Sequence, residues 1–389
     1  MGGQRPIVIA GAGIGGLTAA LALAAENFRV IVCERAEQLL EIGAGIQITP
    51  NMGKILARLG LDAAIRQRAS QPERIEVRSG LNGSLLASIP SASIVERYGF
   101  PWRVLARADL QAVLVNAALA APLIELKLGT AVGDFSEEPE GLSVDISGNA
   151  ISAAALIAAD GVSSVLRGKV QGAGSARPFG RTAWRATISA DDPGARTDRV
   201  CLWIGPDAHL VHYPIAGGRH INIVAIVPED WQGAGWNEPG NPAELARHFA
   251  GWSPEIHELI GASSEWRKWA ILSVDPAAAW QSGHVALLGD AAHAMPPFMA
   301  QGGGMAVEDA AVLAHTFRRS PADSTAALRQ YERARKPRLI RVHRSVLDVG
   351  RRYHWQGPLA ALRDTVLRVA GPQVMLGMND WIYGWTPEA

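Results

Sequence analysis

The hexapeptide Gly11-Ala12-Gly13-Ile14-Gly15-Gly16 constrains this chain more than any other stretch. Before it runs the β-branched triplet Ile7-Val8-Ile9, and after it the Ala- and Leu-rich run Leu17 to Ala25. A second β-branched run, Val30-Ile31-Val32, follows and ends at Glu34. This change of texture predicts strand, tight turn, helix and second strand, a βαβ unit. Glycine at 11 and 13 permits the turn and a close approach of backbone to a pyrophosphate. Gly16 lets helix pack on strand, and the helix N-terminus offers unbonded N–H groups to phosphate. Glu34 stands about where an acid accepts hydrogen bonds from a ribose, with Arg35 beside it. Ile7 to Ala25 carries no charge and follows Arg5, a pattern shared with signal peptides and membrane spans, but four glycines in its middle suit neither. A dinucleotide site is expected, with FAD and NAD both open on these residues.

At 389 residues the chain exceeds what one core usually serves, so two domains or one elaborated domain are expected. Its 37 basic and 37 acidic residues balance, which gives no electrostatic footprint for nucleic acid or an anionic membrane. Two cysteines, Cys33 and Cys201, imply neither a disulfide framework nor a cysteine-rich metal site, and a cytoplasmic setting is the default. Between Arg181 and Asp275 the texture becomes alternating strands, "TAWRATISA", "RVCLWIG", "HLVHYPIA", "HINIVAIV" and "WAILSVD", with one helical insert near Pro242 to Ile260. Trp184, Trp203 and Trp266 on these segments read as core. Thr49 and Pro50 read as the N-cap and first residue of a helix. After Gly304 the chain is mostly helical. The expected fold is α/β. A Rossmann-like cofactor domain is built from residues 1–180 and 276–350, a sheet-rich domain is inserted at 181–275, and a helical segment spans 351–389.

Two further glycine motifs follow buried-strand patterns: Asp160-Gly161-Val162-Ser163-Ser164-Val165-Leu166-Arg167, and Gly289-Asp290-Ala291-Ala292-His293 running to Pro297. With these in order after the first motif, the chain resembles the single-component FAD-dependent aromatic hydroxylases of the para-hydroxybenzoate hydroxylase-like class. Within that class it is similar to the group of salicylate hydroxylase, 3-hydroxybenzoate 6-hydroxylase and 6-hydroxynicotinate 3-monooxygenase, through "EIGAGIQITPN", "MAQG" and "NDWIYGW".

The resemblance implies non-covalent FAD, NADH or NADPH as co-substrate, and O₂. It implies that Asp290 holds the ribityl chain, that Arg107 and Gln111 approach the pyrophosphate and ribityl region, and that Asp160 serves FAD and pyridine nucleotide binding. Pro297 and its neighbours would wall the isoalloxazine, while Gly302 and Gly303 would let backbone approach it. A helix starting near Met305 would turn its positive end to the flavin. The group also carries a His-x-x-x-Tyr pair on a substrate strand and a glutamine before the last glycine run, matched here by His209, Tyr213 and Gln301. Positions four apart on a strand share a face, so His209 and Tyr213 can reach one pocket, and His212 points away.

The implied reaction is hydroxylation of a small phenolic or hydroxypyridine acid by a C4a-hydroperoxyflavin, with or without loss of the carboxylate. A histidine suits removal of the phenolic proton. Arg185 is a candidate partner for the carboxylate, and His293 is read as serving its own loop. Two other readings stand beside this one: epoxidation or reduction on the same fold, and a non-enzymatic FAD-binding redox sensor. The expected partners are the small aromatic substrate and O₂, with no nucleic acid, membrane or metal, and the chain is a monomer or a homodimer.

Overall fold

The computed structural model describes residues 5–39, 45–139, 141–172, 176–192, 194–233 and 235–387. The opening sequence forms β1 (Ile7–Ala10), α1 (Ile14–Ala25) and β2 (Val30–Cys33), as its texture predicts. Every residue of both strands is buried, because β1 lies inside a sheet covered on both faces. That six-stranded sheet runs in the order Gln281–Ser282, Val285–Leu287, Ala155–Ala158, β1, β2, Ile124–Lys127. The three glycine motifs therefore leave three adjacent parallel strands, β1, Ala155–Ala158 and Val285–Leu287, at the same edge. Among the described residues no helix is long and apolar enough to cross a membrane.

The second large sheet has eight strands, ordered Asn237–Gly240, Trp266–Ser273, Arg177–Ser189, His220–Val227, His209–Ile215, Arg199–Ile204, Arg74–Ser79, Leu85–Pro90. Its last two strands come from the 1–180 segment assigned above to the cofactor domain, so this sheet is not confined to 181–275. Side-chain alternation locates a strand but does not say which sheet it joins, and here Arg199–Ile204 recruits Arg74–Ser79 in parallel from a distance. The boundary at 350 also falls inside one continuous helix, Ser324–Tyr353.

Alternation gives this sheet two faces. Trp184, Trp203, Leu210 and Ile223 point outward under the helices Pro242–His248 and Pro254–Gly261, with Trp266 in the same core. Ala183, Val211, Val224 and Ile226 point inward to the core shared with the cofactor strands. Between the two sheets lies β3 (Gly45–Ile48), paired with Arg103–Ala106 and leading through Thr49 into α2 (Pro50–Arg58). Thr49 is the N-cap by backbone geometry, but its hydroxyl caps nothing. It donates to Asn51 Oδ1 at 2.7 Å instead.

Candidate active site

The first glycine motif is packed on one side and open on the other. Gly11 has φ +105°, and a Cβ there would lie 2.4 Å from the Ala159 carbonyl oxygen; a Cβ on Gly16 would lie 2.0 Å from the Gly11 oxygen. Both glycines are required by close approach of strand, turn and helix. A Cβ on Gly13 would meet nothing within 4 Å, and Gly13 caps α1 with no side-chain hydrogen bond, so the helix start faces open space. Glu34 braces the turn, its two oxygens accepting from Ala12 N and Ala36 N at 2.9 Å each. Gln111 Nε2 donates to Ala12 O at 3.2 Å. Asp160 lies against Gly11; its Oδ2 accepts from Val165 N at 3.1 Å, and its buried Oδ1 has no hydrogen-bond partner among the described residues. Arg107 is half-buried at the start of the helix Arg107–Ala120, whereas Arg35 is exposed and no described contact ties it to the glycine turn.

An open cradle at a helix start, a brace at its floor and an orphaned carboxylate oxygen beside it fit a pyrophosphate-bridged dinucleotide. Asp290 is exposed just beyond the Val285–Leu287 strand, at the same end of the sheet as the first glycine motif.

The segment after Asp290 is fixed from beneath. His293 Nε2 meets Asp309 Oδ2 at 2.6 Å, and Asp309 also accepts from Gly289 N at 3.1 Å and from Arg335 Nε at 2.7 Å. His293 thus serves its loop, as expected. The helix expected near Met305 begins at Gly302, because the three glycines themselves form its first turn. A Cβ on Gly302 would meet nothing within 4 Å, and one on Gly303 would approach Ile46 of β3 at 3.1 Å. Pro297 opens a short 3₁₀ turn, Pro297–Met299, and is exposed.

Gln301 is buried, and Asn51 Nδ2 donates both to its Oε1 at 3.2 Å and to Glu308 Oε1 at 2.8 Å. Glu308 in turn accepts from Arg335 and Arg338, on whose guanidinium groups the Trp385 ring is stacked. Asn51, Glu308 and Arg335 are the residues sequence reasoning missed. The signal was Glu308-Asp309 on a helix otherwise apolar enough to be core, since buried adjacent acids require buried cations.

His209 and Tyr213 share the inward face of the His209–Ile215 strand, and His212 lies on the outward one, stacked on Trp203. His209 is buried edge-to-face against Phe298 and Tyr353, and its Nδ1 lies 2.9 Å from His354 Nε2. Burial, and then the neighbouring His354 and Arg181, hold its imidazole well below the ordinary value. Tyr213 packs against Gly45 of β3 and is the cross-strand neighbour of Asn222, whose Oδ1 accepts from Gly45 N at 2.9 Å. Burial raises the Tyr213 phenol, with Arg185 acting in the opposite sense. Arg185, half-buried, is on the same inward face: its register partner Val224 also pairs with Val211, and its guanidinium lies 5.1 Å from the Trp269 ring centre. No described hydrogen bond joins His209, Tyr213 and Gln301 to one another. They border one seam, where the sheet meets β3, the Pro297 turn and the glycine run.

A family model described as an FAD binding domain matches residues 4–346. The chain belongs to that family. This flavoprotein is 36% identical over 388 residues to 3-hydroxybenzoate 6-hydroxylase of Polaromonas naphthalenivorans, covering 98% of this chain and 96% of that protein. It is 37% identical over 351 residues to 6-hydroxynicotinate 3-monooxygenase of Bordetella bronchiseptica, covering 88% and 91%. Among solved structures, Klebsiella pneumoniae HpxO complexed with FAD and uric acid superposes with a TM-score of 0.88 at 29% identity, covering 99% of this chain and 98% of that one. The flavoprotein is an FAD-dependent monooxygenase acting on aromatic substrates. The relatives speak against the epoxidase, reductase and sensor readings.

Proposed function

We propose that the flavoprotein hydroxylates a small phenolic or hydroxypyridine carboxylic acid, using NAD(P)H and O₂, with the ring held at the seam between the His209–Ile215 strand and the glycine run. The observation that carries this is the composition of one buried sheet face. His209 and Tyr213 from one strand, and Arg185 from the strand beyond His220–Val227, share the inward face of the sheet, where Tyr213 packs against β3 and His209 against Phe298 of the Pro297 turn.

FAD, held by Gly11, Gly13, Gly16, Glu34, Gln111, Asp160 and Asp290, supplies hydride acceptance and oxygen activation when bound. The protein's own residues supply the rest. A phenol becomes a strong nucleophile at its ortho and para carbons once its O–H bond breaks and the electron pair stays on oxygen. His209, neutral because it is buried, accepts that proton at Nε2. Arg185 faces the carboxylate, and its stacking on Trp269 fixes the direction of the charge. Tyr213 orients the phenolic oxygen. Gln301, its amide fixed by Asn51, orients the ring or the cofactor edge. In the net reaction one oxygen atom enters the ring and the other leaves as water, with NAD(P)H oxidised.

The test is a panel of salicylate, 3-hydroxybenzoate, 6-hydroxynicotinate and unsubstituted phenol, scored by stimulated NADH and NADPH oxidation and by product analysis. An acid of the panel should stimulate and be hydroxylated, and phenol should be poor. Arg185→Gln should raise KM for the acid more than for phenol. No stimulation by any acid, or an Arg185→Gln effect equal for acid and phenol, defeats the reading.

A further inference from the structure

His209 is not sealed inside the protein. Its Nδ1 lies 2.9 Å from Nε2 of His354, the two rings stack with centroids 5.1 Å apart, and His354 is only partly buried. His354 also lines an open hollow of about 330 Å³, together with Phe179, Arg181, Phe298, Gly350 and Trp355. His354 is the C-cap of the Ser324–Tyr353 helix, whose last residue, Tyr353, also touches His209. A second imidazole thus bridges the buried histidine and solvent, and nothing in the fold needs a titratable group there. The hollow is walled largely by apolar groups, and the hydrogen bond to His209 would be satisfied by a glutamine.

We propose that His354 carries the phenolic proton from His209 to solvent and returns it when product is protonated. This rests on the reading that His209 is the base. The 2.9 Å contact requires one nitrogen to donate and the other to accept. With Nδ1–H of His209 donating, Nε2 of His209 holds the lone pair that a base needs. When the substrate O–H bond breaks, an N–H bond forms at His209 Nε2. The Nδ1–H bond of His209 then breaks as an N–H bond forms at His354 Nε2, and His354 releases its Nδ1 proton to water in the hollow. The electron pair of the O–H bond stays on the phenolate, and each ring ends neutral. Reprotonation of the product runs the same sequence backwards and restores the starting tautomers. Neither ring is a place to store the proton, because burial disfavours a charge on each, and Arg181 faces both while Arg363 faces His354. A conduit fits that setting and a reservoir does not. His354 acts through His209 and touches no reacting atom.

The experiment uses oxidised holoenzyme mixed in a stopped-flow with whichever acid of the panel most stimulates the wild type. Phenolate formation is read by ultraviolet difference and proton release by an indicator dye. His354→Gln keeps a hydrogen-bond acceptor but cannot pass a proton, so proton release should slow at least ~10-fold, the modest end for lost proton-transfer groups. Equilibrium affinity and FAD content should be unchanged. His354→Ala should be slow in the same way, and added imidazole should restore its rate while leaving His354→Gln slow. Wild-type proton release in both variants, or slowing without imidazole rescue, overturns the relay. If His209→Ala also ionises the substrate at the wild-type rate, the base assignment itself has failed. Loss of rate in His209→Ala alone leaves that assignment standing and removes only His354.

Discussion

The side-chain amide of Asn51 donates to the Oε1 of Gln301 at 3.2 Å, linking the first turn of α2 to the glycine run. Both residues are buried, and the same Asn51 amide holds Glu308. The flip state of Gln301 is therefore set by a chain that ends on Arg335 and Arg338. Among the described residues its Nε2 has weak contacts alone, Thr49 Oγ1 and the Met299 carbonyl at 3.5 Å each.

Asn51→Leu should remove this orientation and cost about 1–3 kcal/mol, because Gln301 loses a donor while remaining buried. The loss is read as a lowered urea midpoint. A larger share of NAD(P)H consumed should appear as hydrogen peroxide. Unchanged stability and unchanged coupling would show that Gln301 needs no such partner.

Glycines 13 and 16 make a contrasting pair. Gly16→Ala places a Cβ 2.0 Å from the Gly11 oxygen and should abolish folding of the cofactor domain, giving insoluble or flavin-free protein. Gly13→Ala clashes with none of the described residues, so the melting temperature of the apoprotein should hold while FAD affinity, read by fluorescence titration, falls at least ~10-fold. Equal FAD affinity in Gly13→Ala would place the pyrophosphate elsewhere.

His209→Ala should bind FAD and be reduced by the pyridine nucleotide, yet hydroxylate about 10²-fold more slowly. Its folded-state value lies below the ordinary 6.5, so the neutral ring persists as pH falls through that value. The wild-type kcat/KM profile should accordingly show its acid limb below pH 6.5. An acid limb at 6.5 or higher would mean that the histidine titrating there is another one.

Asp309 sets an acid limit on stability. Burial alone would raise its carboxyl, but attraction to His293 and Arg335, with their hydrogen bonds, holds it below the usual range. A depressed carboxylate contributes stability that is present above the unfolded value, about 3.9, and is lost as pH falls through the folded one. Urea midpoints should fall on acidification below pH ~4. Asp309→Asn should be less stable at neutral pH, by ~3–5 kcal/mol as for a broken buried pair, with a flatter acid limb. An equally steep limb in the variant would assign the acid sensitivity to other carboxylates, such as Glu76.

Much of the scaffold of the proposed cofactor side was legible in the sequence because its signals are local. The glycines, Glu34, Asp160 and Asp290 lie within a few residues of the strands that deliver them, and texture alone located those strands. The substrate side was legible by face but not by depth. Alternation puts His209 with Tyr213 and against His212, yet nothing in the sequence near His209 points to His354, which arrives from the end of a remote helix. Asn51 escaped for the same reason, since its partners Gln301 and Glu308 are remote in sequence. The run "NDWIYGW" stood out as a family signature with no physical role. The structure supplies one: its tryptophans cover guanidinium groups, Trp385 over Arg335 and Arg338, Trp381 over Arg341.

The helix Ser324–Tyr353 grips the Gly302–Arg319 helix through Arg335, and the His209–Ile215 strand through Tyr353 and its cap, His354. At 1.5 Å per residue those grips are separated by roughly 27 Å along one rod. Pro337 interrupts the hydrogen-bond ladder just past the Arg335 grip, so the helix can bend there, and the uninterrupted strut is the stretch from Pro337 to Tyr353. Tilting the eight-stranded sheet away from the cofactor strands would have to bend the helix at Pro337, or break the ion pair at one end or the histidine contact at the other, so wholesale gaping of the seam is mechanically disfavoured. Admission of substrate then falls to parts that this helix does not clamp, such as β3, a four-residue strand that among the described residues pairs with Arg103–Ala106 and is tied to the large sheet by the Gly45–Asn222 hydrogen bond.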